Sequence, residues 1–155
     1  MTLIIGAKCS DGFVLGSDGA ATFGSLGQQT SRQPTDKPYV ISNKSLVGVS
    51  GPVGLGQYFV DTVQTLTDGG HFANQNPAAA RKLLEKGFWP HVESEINRAR
   101  AVQAVLNPSI AITNALSQTI VAMPVGNVPC LFSFDQQCSS EEITDRLPFA
   151  AIGSG

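Results

Sequence analysis

Thr2-Leu-Ile-Ile-Gly-Ala-Lys-Cys-Ser-Asp-Gly-Phe-Val-Leu-Gly-Ser-Asp18 is the stretch that decides the fold of this chain. Thr2 to Cys9 is apolar and rich in β-branched residues, Phe13 to Ser17 is similar, and Ser10-Asp11-Gly12 between them is turn chemistry. The chain is therefore expected to open with an antiparallel hairpin. With the turn centred on Asp11-Gly12, residue numbers across it sum to about 23, which sets Thr2 opposite Ala21 and three rows from Asp18. Side-chain parity stays open, because a one-residue bulge reverses the face.

Outward from the hairpin, residues 19 to 36 combine glycines with Ser, Thr, Gln and Pro34, which reads as a long loop of the kind that is often functional. A second strand pair is expected at Pro38 to Ser42 and Leu46 to Ser50, turning at Asn43-Lys44. The period then changes. Leu55, Phe59, Val63 and Leu66 recur at helical spacing until Gly69-Gly70. After a loop through Pro77, Leu84, Phe88, Val92, Ile96 and Ala99 mark a longer helix, which Pro90 should kink or interrupt. Strands return at Gln118 to Met123, Val128 to Phe134 and Phe149 to Ile152, with Glu141-Glu142 in an intervening turn.

Strands, two helices and strands again predict a single α+β domain over residues 1–155, with two antiparallel sheets and helices stacked outside them. The closing Phe149-Ala-Ala-Ile-Gly-Ser-Gly155 reads as a strand running into a turn, so further strands and helices are expected to be missing at the C-terminus.

The 155 residues are 42% hydrophobic and 14% charged, enough apolar content for a packed core. A net charge of -2, with no basic run denser than Arg81-Lys82, argues against nucleic acid as a partner. The opening segment lacks a basic n-region and its apolar run breaks at Lys8 and Asp11, so neither a signal peptide nor a membrane span is expected and the location is read as cytoplasmic. Cys9, Cys130 and Cys138 show no metal or redox spacing and are read as packing residues; no metal and no cofactor is expected. His71 in a loop and His91 beside Trp89 are read as surface or helix-packing residues. Glu93 and Glu95 lie two apart and cannot share a helix face, which removes a paired-carboxylate site. The glycines at 51, 54 and 56 match no phosphate-loop pattern.

Thr2 carries the chemistry of interest. Removal of Met1 would leave a hydroxyl and a free α-amine on one residue, and such an amine has an ordinary pKa of about 7.7 to 8.0. Near neutral pH it can accept the hydroxyl proton, so nucleophile and base share a residue. Gly51 stands where the second strand pair gives way to a helix. Glycine there lets a substrate approach the backbone, and N–H groups entering a helix are natural anion donors.

Taken together, Thr2 to Asp18, the following Gly-Ala-Ala-Thr22-Phe-Gly, Lys37-Pro-Tyr-Val-Ile, Val49-Ser50-Gly51 and Ala151-Ile-Gly-Ser154-Gly155 resemble proteasome β-subunits. Asp18 to Gly24 looks especially like the peptidase of the bacterial two-component ATP-dependent protease. The resemblance covers about the first third of the chain and its last few residues. Between Asp18 and Lys37 the loop is longer than the family pattern, and Ala20 stands where a basic residue is usual.

The resemblance implies a four-layer αββα sandwich of the N-terminal-nucleophile hydrolases and a threonine endopeptidase that forms homo-oligomeric rings. Its substrates would be peptides or unfolded proteins, delivered by an ATP-dependent unfoldase. Thr2 would be the nucleophile, Asp18 and Lys37 its charged neighbours, Gly51 the oxyanion donor, and Ser154 would complete the set. Lys37 would act as an electrostatic tuner, its field holding the Thr2 amine neutral. Ala21 and Thr22 would offer backbone to an extended peptide. Val49 and Val53 would line a pocket that favours apolar side chains. Two other functions fit the same fold: a non-catalytic ring scaffold, which would keep Met1, and an amidohydrolase acting on small amides.

Overall fold

A computed structural model describes residues 2–23, 29–32, 37–42, 44–103 and 116–153. The opening hairpin is β1 (Leu3–Lys8) and β2 (Phe13–Ser17), followed by β3 (Ala20–Phe23) and β4 (Gln29–Arg32). Then come β5 (Pro38–Ser42), β6 (Ser45–Ser50), α1 (Val53–Asp68) and α2 (Pro77–Gln103). The chain returns to strands with β7 (Gln118–Val125), β8 (Val128–Phe134), β9 (Ser140–Glu142) and β10 (Phe149–Gly153).

Three strands in the order β10-β1-β2 form one sheet, and five in the order β5-β6-β7-β8-β9 form another, every pair antiparallel. Alternation along β7 sorts its side chains between two cores. Ile120 and Ala122 pack with Ile4, Leu131, Ile143 and Ile152 between the sheets, whereas Val121, Met123 and Val125 face α1 and α2. At Gly48 the sheets approach so closely that a Cβ would lie 2.7 Å from Ile4 Cγ2. The expected α+β sandwich is thus present, with α1 and α2 covering one side. On the other side the small sheet turns Leu3, Ile5, Val14 and Phe149 outward, and no helix among the described residues lies over them.

The helical core centres on Phe88, whose ring stacks on Phe59 at 4.4 Å and meets Phe134 edge-on at 5.0 Å. Phe88→Ala should cost about 3–5 kcal/mol, through lost transfer energy and the cavity left behind. A urea titration checks it; a midpoint unchanged from the parent would mean that this aromatic cluster does not hold the helices to the sheet.

Several local expectations need correction. Residues 19 to 36 are more than loop: β3 and β4 pair in register from Ala20↔Arg32 to Phe23↔Gln29 as a two-stranded ribbon. At four residues each, and with β4 made only of Gln29-Thr-Ser-Arg32, they are too short and too weakly patterned to stand out from the loop sequence around them. Glu141-Glu142 belong to β9, which extends the sheet beyond β8 through Phe132↔Glu142 and Ser133↔Glu141. The Ser140 hydroxyl ties that edge to α2 by donating to the Glu85 carboxylate.

Pro77 begins α2 rather than ending the loop before it. Asn76 caps that end, its Oδ1 accepting from the Ala79 N–H at 2.8 Å, and proline suits the first helical position. Pro90 does not interrupt α2, which runs unbroken across it. The proline is exposed, so the carbonyl its ring leaves unpaired can be met by solvent. Cys130 and Cys138 are buried, and burial pushes their thiols up to about 11 and about 12, as suits packing residues. Cys9 does not share that role, since it is exposed at the hairpin turn. His91 stacks on Tyr58 with ring centroids 4.7 Å apart, a helix-to-helix contact, and His71 is exposed.

Candidate active site

The hairpin register decides which residues meet Thr2. Cys9 N–H donates to the Gly12 carbonyl at 2.8 Å, which centres the turn on Ser10-Asp11. Cross-strand partners such as Ile4↔Ser17 and Lys8↔Phe13 follow, two residues tighter than expected. Thr2 is therefore not opposite Ala21. Asp18 faces Leu3 directly, its N–H donating to the Leu3 carbonyl at 3.0 Å and its Oδ1 accepting from the Leu3 N–H at 3.2 Å. The carboxylate is thus fixed one row from Thr2 rather than three.

Lys37, immediately before β5, completes a cluster. Its ammonium donates to Asp18 Oδ1 at 2.7 Å and to Thr2 Oγ1 at 3.4 Å. Lys37 is 9% exposed and Asp18 29%, so the pair is far better shielded than an ordinary surface ion pair. The Lys37 hydrogen bond, with the Leu3 N–H second, holds the Asp18 carboxyl below its usual 3.8. A depressed carboxyl contributes stability that is complete above its unfolded pKa and fades as pH falls through the folded one. The urea midpoint of the parent should therefore exceed that of Asp18→Asn at pH 7, and the gap should close in acid well below pH 3.8. A gap that persists there would mean the carboxylate charge is not what stabilises the cluster.

Gly51 lies between β6 and α1 with φ +140, a conformation that glycine alone adopts readily. A Cβ there would stand 2.8 Å from the Leu116 carbonyl oxygen and 2.9 Å from Ser117 Cα. Backbone geometry by itself therefore demands glycine at this position. Val49, half-buried near the end of β6, lies against α1, where a Cβ on Gly56 would be 3.1 Å from Val49 Cγ1. Val53 opens α1 and is exposed. Ala21 and Thr22 lie in β3, whose other edge has no strand partner among the described residues. Ser154 lies outside the described residues.

The turn after β10 reaches Thr2 through Gly153. Leu3 pairs with Gly153, whose φ is +133, and a Cβ on Gly153 would overlap the Thr2 carbonyl oxygen at 1.7 Å. The Gly153 N–H donates to Gln118 Oε1 at 3.2 Å. The adjacent Ser117 is 3% exposed and donates its hydroxyl to the Ser50 carbonyl at 3.2 Å. Neither Ser117 nor Gln118 stands in any motif. Their only signal is their place at the mouth of β7, next to where β6 ends, and that appears once the strands are paired.

Among the described residues no helix is long and apolar enough to cross a membrane. No curated protein matches the chain. Solved structures do. Anbu (ancestral beta-subunit) from Yersinia bercovieri is 18% identical with a TM-score of 0.66, over 97% of this chain and 60% of that one. An Anbu (Gly-1) mutant from Hyphomicrobium sp. strain MC1 is 15% identical with a TM-score of 0.64, over 100% of this chain and 62% of that one. The chain thus spans less than two thirds of the length of these structures, and at such identities the likeness is one of fold. The model of the proteasome subunit family matches residues 2–155, and this chain belongs to the proteasome subunit family.

Proposed function

We propose that this chain is a threonine-type peptidase subunit whose nucleophile is Thr2, made N-terminal by removal of Met1, and that it works within a ring of identical subunits. The observation that carries the reading is the shielded Lys37 ammonium, held by Asp18 at 2.7 Å and directed at Thr2 Oγ1 at 3.4 Å. A cation there favours the oxygen as negative charge develops on it. Its field also lowers the proton affinity of a neighbouring α-amine, which keeps that amine available as a base.

Thr2 Oγ attacks the peptide carbonyl carbon and passes its proton to its own amine. The oxyanion that forms accepts from the Gly51 N–H. Collapse breaks the C–N bond, and the leaving nitrogen takes the proton from the amine. The ester left on Thr2 is then attacked by water, whose proton goes to the amine and on to the departing Oγ. An extended substrate adds to the edge of β3 away from β4, along Ala21 and Thr22, and the side chain before the cut rests on Val49 and Val53. Small apolar walls favour apolar residues there. Ser154 completes the catalytic set. Enclosure within a ring restricts substrates to peptides or unfolded chains, which an ATP-dependent unfoldase delivers.

Intact-mass spectrometry with and without a peptide electrophile tests this. The expected mass is lower than the full sequence by one methionine and rises by one adduct at Thr2. Retained methionine, or no adduct, would leave a ring scaffold without catalysis.

A further inference from the structure

We infer that Ser117 is a positioning residue for the oxyanion site, directing the Gly51 N–H through the peptide group that Ser50 and Gly51 share. The inference rests on the reading of Gly51 as the oxyanion donor.

A peptide unit is planar, with its C=O and N–H pointing to opposite sides. Whatever fixes the Ser50 carbonyl therefore fixes the direction of the Gly51 N–H. The Ser117 hydroxyl donates to that carbonyl at 3.2 Å from a site only 3% exposed. Such a lock is needed because of the residue at position 51. Rotation of the plane between residues 50 and 51 changes ψ of Ser50 and φ of Gly51 together, and glycine tolerates either sign of φ, so the glycine that permits φ +140 offers little resistance to a flip. Ser117 opposes the flip in two ways. Its hydroxyl holds the oxygen, and its Cα, with the Leu116 carbonyl, packs against the Gly51 Cα from the side on which a Cβ would stand. A hydrogen bond accepted at the carbonyl also polarises the peptide and strengthens its N–H as a donor.

Gln118 extends the brace. Its Oε1 holds the Gly153 N–H at 3.2 Å, and Gly153 abuts the Thr2 carbonyl. Two consecutive residues at the mouth of β7 thus register the donor just after β6 and the nucleophile just before β1 against each other. Ser117 needs its hydroxyl for this, as the orientation of one peptide plane depends on it.

Ser117→Ala tests the inference in the full chain, with Ser117→Cys as a near-isosteric companion that keeps volume but is a weak donor. Both should lower kcat for a fluorogenic peptide by about tenfold, a fraction of the roughly 10²–10³ lost when an oxyanion donor is removed outright, with KM unchanged. A peptide boronate, whose tetrahedral adduct places an oxygen where the oxyanion forms, should lose affinity by the same factor. A non-covalent peptide inhibitor of the same sequence should bind as before. A merely structural hydroxyl would weaken both inhibitors together or neither, and either result overturns the inference. Parent activity that Thr2→Ala abolishes but both Ser117 variants retain would overturn it alone. An inactive parent would remove this reading and that of Gly51 together.

Discussion

Thr2→Ala is expected to reduce peptide hydrolysis by about 10⁴-fold or more while the fold and its thermal transition stay unchanged. The substitution removes the oxygen proposed to attack but leaves a residue small enough for Met1 to be trimmed, so the proposed α-amine base would be kept. Thr2 is only partly buried, and what anchors this end of the chain is the exchange of hydrogen bonds between Leu3 and Asp18. Loss of Oγ1 should therefore leave the Lys37–Asp18 pair at 2.7 Å in place. Thr2→Ser keeps both oxygen and amine and should retain measurable turnover. Full activity in Thr2→Ala, assayed on protein confirmed by mass, would show that another residue is the nucleophile.

Gly153→Ala should have the largest structural effect of any glycine-to-alanine change among the described residues. Its Cβ would fall 1.7 Å from the Thr2 carbonyl oxygen and 2.7 Å from the carbonyl carbon, both backbone atoms that cannot rotate away. The residue also holds φ +133, where an L side chain is strained. A loss of roughly 3 kcal/mol or more is expected in urea titration. Gly12→Ala, where a Cβ would meet nothing within 4 Å, should change stability little and serves as the control. The displaced partner of Gly153 is the backbone of Thr2, so hydrolysis should fall further than stability explains. Wild-type stability in Gly153→Ala would show that β10 does not close on β1 as described.

Apart from β3, β4 and β9, the order of elements was legible in the sequence because its signals were strong and local. Leu55, Phe59 and Val63 mark α1 by their period, Gly69-Gly70 end it, and apolar runs mark β1, β7 and β8. The hairpin register was not legible. A shift of the turn by one residue, from Asp11-Gly12 to Ser10-Asp11, moves every cross-strand sum by two, and only the Cys9 to Gly12 hydrogen bond shows which turn forms. That shift moves Asp18 from three rows away to the row beside Thr2. Thr2, Asp18 and Lys37 could be named from the family pattern, but the distances among them depend on strand pairing over 35 residues. Ser117 and Gln118 were silent for a related reason. A serine and a glutamine at a strand's start are ordinary, and they gain meaning from Ser50 and Gly153, which lie 67 and 35 residues away in the chain.

Thr2 and Gly51 extend from strands of two different sheets, β1 and β6, and the sheets touch where Ile4 fills the space that Gly48 leaves open. In the mechanism proposed above, the separation between attacking oxygen and anion donor is consequently gauged by the thickness of an oily layer between the sheets. Side chains such as Ile4, Ile120 and Leu131 serve as shims, and swapping one for a shorter or longer neighbour would detune the chemistry from inside the protein without altering any group that takes part in it.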